Sequence, residues 1–195
     1  MKKTLLTLLM SFSIIGNCFA ADKFEIDQDH TSINFSVKHL VISNTKGNFK
    51  NFNGIINYDA KDITKSSVNA KIKADSIDTD NEKRDEHLKT PEFLDTAKYP
   101  EITFISKQIK KAKGNNNYIC IGNLTMHGVT KEIALPFQIT GLIKGMKGES
   151  RLGANANIIL NRKDFGLNWN KAMDNGGLVI GEQVKVSLEI EAVKQ

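Results

Sequence analysis

Cysteine is nearly absent from this chain, which has two among its 195 residues. Cys18 lies in an N-terminal segment that we expect to be removed, so the mature chain would have no internal disulfide and would depend on its core for stability. Cys120 lies in an apolar run, Tyr118-Ile119-Cys120-Ile121. This setting predicts a buried, unreactive thiol rather than a nucleophile.

No apolar run approaches the roughly 20 residues that a membrane-spanning helix needs. The longest run spans residues 4–15; it follows a pair of lysines and precedes the small-x-small segment Cys18-Phe19-Ala20. This order is typical of an export signal. We therefore expect residues 1–20 to be cleaved after Ala20, and residues 21–195 to form one soluble domain.

The same N-terminus has an alternative interpretation as a lipoprotein signal, in which Cys18 would be lipidated instead of removed. Asn17 argues against it, because such signals have a small residue immediately before the cysteine.

Neither sign of charge dominates the sequence. Loss of the two N-terminal lysines would lower the formal net charge from +5 to +3. Lysines such as Lys71, Lys73, Lys131 and Lys185 alternate with apolar residues and have few aromatic residues near them, as on a solvated strand face. We therefore expect no nucleic-acid partner.

Motifs for catalysis and metal binding are also missing. No Gly-x-Ser-x-Gly segment occurs, and Cys120 has no histidine near it in sequence. The histidines lack the i, i+2 or i, i+4 spacing of a metal site, although two or three of them could meet at one rim: His30, His39, His87 and His127. We expect a protein that is not an enzyme, with no catalytic residue, metal or cofactor.

Alternation of apolar and polar residues is the dominant pattern in the mature sequence. The last strand is the clearest example, with inward residues from Val184 to Ala192 at every second position. Seven further strands are expected, beginning with one around residues 33–37 and continuing over residues 47–59, 68–74, 101–112, 117–125, 129–140 and 150–161. Strands that follow one another through short turns predict a mostly β fold, an eight-stranded antiparallel up-and-down barrel.

Two longer connections interrupt this series. A short helix is expected at residues 81–89, because capping side chains precede it and Pro91 follows it. An irregular connection precedes the last strand, and long structured loops in a compact barrel are often functional. In it, Phe165 and Trp169 could form an apolar lid hinged at Gly176-Gly177, or they could pack onto the barrel end.

An eight-stranded barrel is wide enough either to be filled by side chains or to hold one small ligand. Small inward residues recur among large ones; they could leave room for a lumen or let the strands bend, and both interpretations stay open. A lumen would be lined by the inward residues Ile33, Phe35, Val37, Phe52, Ala70, Ile72, Phe104, Leu124, Ala156, Ile158, Val186 and Leu188.

Several motifs resemble those of one known family. They include Asp29-His30-Thr31-Ser32-Ile33, Arg84-Asp85-Glu86-His87-Leu88, Leu124-Thr125-Met126-His127-Gly128-Val129-Thr130-Lys131 and Asn161-Arg162-Lys163-Asp164-Phe165-Gly166. From about Phe24 to Val193 the chain resembles the YceI-like family of periplasmic polyisoprenoid-binding proteins. The resemblance implies an extended lipocalin-like barrel in the periplasm, often dimeric, which takes up the isoprenoid tail of a quinone, a polyprenyl phosphate or a similar long-chain amphiphile without turnover.

A bound amphiphile would place its head group at one rim of the barrel. Residues that we expect there are His39, Arg84, His87, His127, Arg162, Asp164 and Trp169. Arginine can bind a phosphate or carboxylate through two parallel hydrogen bonds, but an Arg-Asp brace between the two longer connections is an alternative role. Two other functions remain open: a filled barrel that acts through protein contacts, and a lipid-modifying hydrolase.

Overall fold

Strands make up most of the computed structural model, which describes residues 21–171 and 178–195. The expected export signal at residues 1–20 and the glycine pair Gly176-Gly177 lie outside the described residues. The strands are β1 (Asp22–Ile26), β2 (Ser32–His39), β3 (Ser43–Phe49), β4 (Phe52–Tyr58), β5 (Ser67–Lys73), β6 (Ile77–Asp78), β7 (Glu101–Lys111), β8 (Asn117–Met126), β9 (Val129–Lys144), β10 (Ser150–Asn161) and β11 (Ile180–Lys194).

These segments form a closed, eight-stranded antiparallel barrel, as the alternation predicts. β1 pairs with both β4 and β11, and that second pairing closes the ring. Three of the eight barrel strands are each made of two consecutive segments. These segments are β1 with β2, β3 with β4, and β5 with β6. Short 3-10 turns separate the first pair and the last pair, at Gln28–His30 and Ala74–Ser76. Closure leaves no long unpaired strand edge.

One helix interrupts the strands, α1 (Glu82–Lys89), and it begins where the sequence predicts. The Asn81 side chain accepts a hydrogen bond from the backbone N–H of Arg84, and Glu82 and Asp85 lie in the first turn, where the helix dipole favours negative charge. A single turn of 3-10 helix, Arg162–Phe165, begins the connection to β11. In the described part of the chain, no helix is long and apolar enough to cross a membrane.

The two ends of the barrel differ. We call the end that carries α1 the helical rim; it also has the His127-Gly128 turn and the start of β11. The opposite end, which we call the closed end, contains two clusters of buried side chains. One is Phe24, Leu152 and Ala192; the other is Ile63, Ile109 and Cys120. A third cluster, Ile77, Leu94 and Leu167, lies at the helical rim, so buried side chains pack at both ends of the barrel.

Candidate functional site

A cavity of about 530 Å³ lies inside the barrel. Its lining is almost entirely apolar and comes from every barrel strand and from α1. This volume lies within the roughly 300–1,000 Å³ that small-molecule sites in proteins occupy. The barrel is therefore hollow rather than filled by side chains.

The inward residues predicted from the alternation line this cavity, with one exception. Those that line it are Ile33, Phe35, Val37, Phe52, Ala70, Ile72, Phe104, Leu124, Ile158, Val186 and Leu188. The exception, Ala156, is 5% exposed and does not reach the cavity. Its cross-strand partners Leu188 and Phe137 have longer side chains, and both of these line the cavity.

At the closed end the described cavity-lining residues carry no ionised side chain. Tyr58, Ser66 and Cys120 supply the polar atoms there. The Ser66 hydroxyl accepts a hydrogen bond from the backbone N–H of Asp59 at 2.9 Å. Burial raises the pKa of the Cys120 thiol to about 11, so the thiol is protonated and unreactive at neutral pH, in agreement with its apolar sequence setting.

The helical rim carries the charged and aromatic part of the lining. Of the predicted rim residues, His39, Arg84, His87, Arg162 and Trp169 line the cavity. The cavity is therefore amphipathic from end to end: an apolar interior leads from a neutral closed end to a cationic, aromatic rim.

Aromatic rings form one wall of the rim. The ring of Trp169 lies 5.2 Å from that of His87 and 5.1 Å from that of Phe93, and His87 and Phe93 meet edge to face at 4.9 Å. The His87 imidazole also forms a 2.5 Å hydrogen bond to the Glu92 carboxylate. Trp169 therefore lies at the cavity mouth, whereas Phe165, the other residue considered for a lid, is 2% exposed and packs into the barrel end.

Two predicted rim residues lie away from the cavity. His127 and Gly128 both have positive φ, and this tight turn directs the His127 imidazole onto the carbonyl of Phe165, at 3.1 Å, and against the ring of Tyr99. Asp164 is exposed on the 3-10 turn. The prediction that these side chains border the cavity is wrong, because the His127 imidazole is held against Phe165 and Asp164 faces solvent.

The two arginines of the rim bind backbone and hydroxyl oxygens, so the Arg-Asp brace considered as an alternative is absent from the described ion pairs. Arg84 donates from Nε to the Thr79 hydroxyl and from Nη2 to the Thr79 carbonyl, both at 2.7 Å. Arg162 donates to the carbonyls of Gly181 and Leu167.

Arg162 is 4% exposed, and its Nη2 has no hydrogen-bond partner. Burial lowers the pKa of its guanidinium from the ordinary value, although nearby Glu182 opposes this effect. A buried cation with a free donor is costly to leave unpaired. Arg162 is therefore a candidate for holding an acceptor oxygen at the rim end of the cavity.

One group of potential metal ligands lies outside the cavity. Ligand atoms of Asp27, His30 and Glu191 are within 4.8 Å of one another. The Arg151 guanidinium already bridges this group, with a 2.9 Å hydrogen bond to Asp27 and a further one to Glu191. The arginine supplies the positive charge that a metal ion would bring.

Hydrolase chemistry would need a histidine beside a nucleophile. Ser66 and Cys120 lie at the closed end of the cavity, whereas His39 and His87 lie at the helical rim. This separation gives no support to a Ser-His or Cys-His pair.

Sequence reasoning missed several residues that line the rim. They come from the two longer connections and from strand ends, and they are Leu88, Phe93, Leu94, Met126, Leu167 and Val179. These segments have no strand periodicity that would assign their side chains to a face. The signal that could have found them is the presence of bulky apolar residues within otherwise polar connections.

Comparison with known proteins finds chains that are similar in sequence and structures that are similar in fold. A UPF0312 protein of Staphylococcus epidermidis is 36% identical over 170 residues, which cover 87% of this chain and 96% of that protein. The crystal structure of the Campylobacter jejuni YceI protein is similar with a TM-score of 0.70 and 33% identity, covering 81% of this chain and 90% of that one. A polyisoprenoid binding domain from Saccharophagus degradans shares the fold, with a TM-score of 0.68 and 14% identity over 90% of this chain and 99% of that one.

The YceI-like domain matches residues 24–192 of the sequence. This match begins in β1 and ends in β11, so it includes every strand of the closed barrel. The chain therefore belongs to the YceI-like family.

Proposed function

We propose that this protein binds one long-chain amphiphilic lipid, with the tail in the barrel cavity and the head group at the helical rim. The observation that carries the proposal is the polarity of the cavity, which is apolar along the barrel and cationic at one end. The fold is shared with a domain described as polyisoprenoid binding, which supports an isoprenoid as the ligand. The protein would act as a carrier or reservoir, and it would release the lipid unchanged.

The lining favours a long hydrocarbon tail because it offers contact area rather than polar partners. Burial of hydrocarbon contributes roughly 0.8 kcal/mol per methylene, so a five-carbon isoprene unit contributes about 4 kcal/mol before the costs of association. A few such units would give firm binding without any charged contact. Apolar walls discriminate length and width, so quinones, polyprenyl phosphates and other long-chain lipids all remain candidate ligands.

The rim favours a head group that carries acceptor oxygens. Arg84 and Arg162 border the mouth, and Nη2 of Arg162 is a donor without a partner. Hydrogen bonds from arginine to phosphate or carboxylate are charge-assisted and stronger than neutral ones. A phosphate or a quinone carbonyl at this rim would therefore satisfy groups that the protein alone leaves unsatisfied.

The direct test is chemical identification of the ligand. Protein purified without detergent would be extracted with organic solvent, and the extract analysed by mass spectrometry. We expect about one long-chain lipid per chain. A folded protein that yields no lipid, and that also fails to take up an added polyprenyl phosphate or quinone, would refute the proposal.

The role of the rim is tested by Arg84→Met, with Lys83→Met as the matched control. Both residues are exposed on α1, but Lys83 does not line the cavity. Hydrogen bonds to charged groups contribute about 1.5–3 kcal/mol, so Arg84→Met should weaken binding of a polyprenyl phosphate by at least tenfold. Binding of the matching neutral polyprenol should change little. Equal loss for both lipids would show that Arg84 acts through the structure of α1 instead of the head group.

We also propose that the protein is exported to the periplasm and acts there, possessing no cofactor apart from its bound lipid. N-terminal sequencing of protein from a periplasmic fraction should begin at Ala21. The dimer that the family resemblance implies stays a prediction, and light scattering of the purified protein would test it.

A further inference from the structure

The turn between β2 and β3 carries exposed apolar side chains at the helical rim. We call Leu40, Val41 and Ile42 the apolar tip. Val41 is 66% exposed and Ile42 is 84% exposed, and Leu178 beside the start of β11 is 39% exposed. Exposure of large aliphatic side chains to water is unfavourable, and a cluster of them marks a contact surface.

The backbone of the apolar tip is also in a conformation that its residues disfavour. Leu40 has φ +49° and Val41 has φ +65°. Consecutive residues with positive φ in a hairpin turn are usually Asn, Asp or Gly, and a β-branched valine is strained there. The turn is held by a 2.8 Å hydrogen bond from the Leu40 N–H to the Val179 carbonyl. Exposure to solvent and the positive φ angles would both favour polar residues in this turn. The apolar side chains therefore indicate a contact that the isolated chain does not provide.

Charge around the apolar tip points to the nature of that contact. The sequence has no acidic residue between Asp29 and Asp59. Lys38 and Lys46 flank the tip on β2 and β3, are exposed, and have no ion-pair partner among the described residues. Lysines next to inserted apolar side chains are attracted to anionic lipid head groups.

The apolar tip adjoins the mouth of the cavity. His39 precedes it directly, Val179 binds its backbone, and both residues line the cavity. The closed end also exposes apolar side chains, Ile143 and Met146, but the described cavity lining there has no cationic side chain. A bilayer at the apolar tip would therefore face the end of the cavity that carries the cationic and aromatic lining.

We propose that the apolar tip inserts into the surface of a bilayer that contains anionic phospholipid, which brings the cavity mouth to the membrane. Transfer of lipid between membrane and cavity would follow from this contact, and that part rests on the proposed function. Insertion itself needs only the tip and its lysines.

The experiment is flotation of the mature protein with vesicles of phosphatidylethanolamine and phosphatidylglycerol, and with vesicles of phosphatidylcholine alone. The test variant is Val41→Asn combined with Ile42→Ser, because asparagine tolerates the positive φ and the variant should fold. The matched control is Ile143→Ser combined with Met146→Ser at the closed end.

We expect the wild type and the closed-end control to float with the anionic vesicles, less so at high salt, and the tip variant to float at least fivefold less. Three results would overturn the proposal: equal flotation of wild type and tip variant, loss confined to the closed-end control, or a wild-type dimer that the tip variant loses while neither protein floats. Lipid extraction from the same samples separates the two proposals. Lipid-free protein that floats would support insertion and count against the proposed function. Lipid-loaded protein that does not float would support the proposed function and overturn insertion.

Discussion

Replacement of Ala70 by tryptophan should weaken lipid binding in the cavity without unfolding the barrel. Ala70 lines the cavity from β5, and its cross-strand partners are Gly54 on β4 and Phe104 on β7. A Cβ atom built on Gly54 would lie 3.1 Å from the Cβ atom of Ala70, so two small residues face each other on this part of the wall. An indole placed here has the lumen itself as the space into which it can extend.

The expected loss of affinity follows from the hydrocarbon that the indole displaces. If the ring takes the place of one five-carbon isoprene unit, the lost burial is about 4 kcal/mol, at roughly 0.8 kcal/mol per methylene. Because about 1.4 kcal/mol corresponds to a tenfold change, the upper limit is several hundredfold. A tail that shifts toward the rim would recover part of this, so we expect a loss of at least tenfold.

The assay is the amount of lipid per chain, measured by mass spectrometry after extraction. Asn69→Trp is the matched control, because Asn69 is the exposed neighbour on the outer face of the same strand. Urea unfolding would establish that both variants fold. A folded Ala70→Trp protein that retains as much lipid as the wild type and the control would refute the reasoning that the tail occupies this part of the lumen.

Two further predictions concern stability. Gly128 has φ +73°, and a Cβ atom there would lie 2.5 Å from the Tyr99 ring, whereas Gly148 has φ +84° and open space around it. Gly128→Ala should therefore lower the free energy of unfolding in urea by more than the roughly 1–2 kcal/mol expected for the left-handed backbone alone, which Gly148→Ala measures; equal losses would contradict the contact with Tyr99. The hydrogen bond from Arg151 holds the pKa of Glu149 below its usual range. This stabilisation is present above the unfolded pKa and is lost as the pH falls through the folded pKa, so the acid-induced fall in stability should be shallower in Arg151→Gln, and an unchanged pH profile would contradict the pairing.

The strand register could be predicted from the sequence because one face of each strand is buried. A slip of one residue in β11 would place Glu189 and Glu191 inside the barrel, so the inward positions follow from the alternation itself. Position on the inward face does not decide access to the cavity. Ala156 is buried and yet does not line the cavity, whereas its longer cross-strand partners Leu188 and Phe137 do.

The rim could be predicted only in part, because its residues come from connections without periodicity. Arg84 and His87 of α1 converge on the mouth with Trp169, which is distant from both in sequence. His127 lies in one of the motifs that resemble the family, but its imidazole binds the carbonyl of Phe165 and does not border the cavity. Side-chain direction in these turns depends on local φ angles and on the partner that each turn meets.

The sequence by itself determined the barrel, its eight strands and its inward faces, because burial of one strand face is a local property that alternation records directly. Only the tertiary structure decided that the barrel is hollow, that Phe24, Leu152 and their neighbours pack at one end, and that the cations collect at the other end. The physical reason is that a cavity is the volume left over by side chains from many strands. No single segment encodes that volume, and it exists only once the ring of strands has closed.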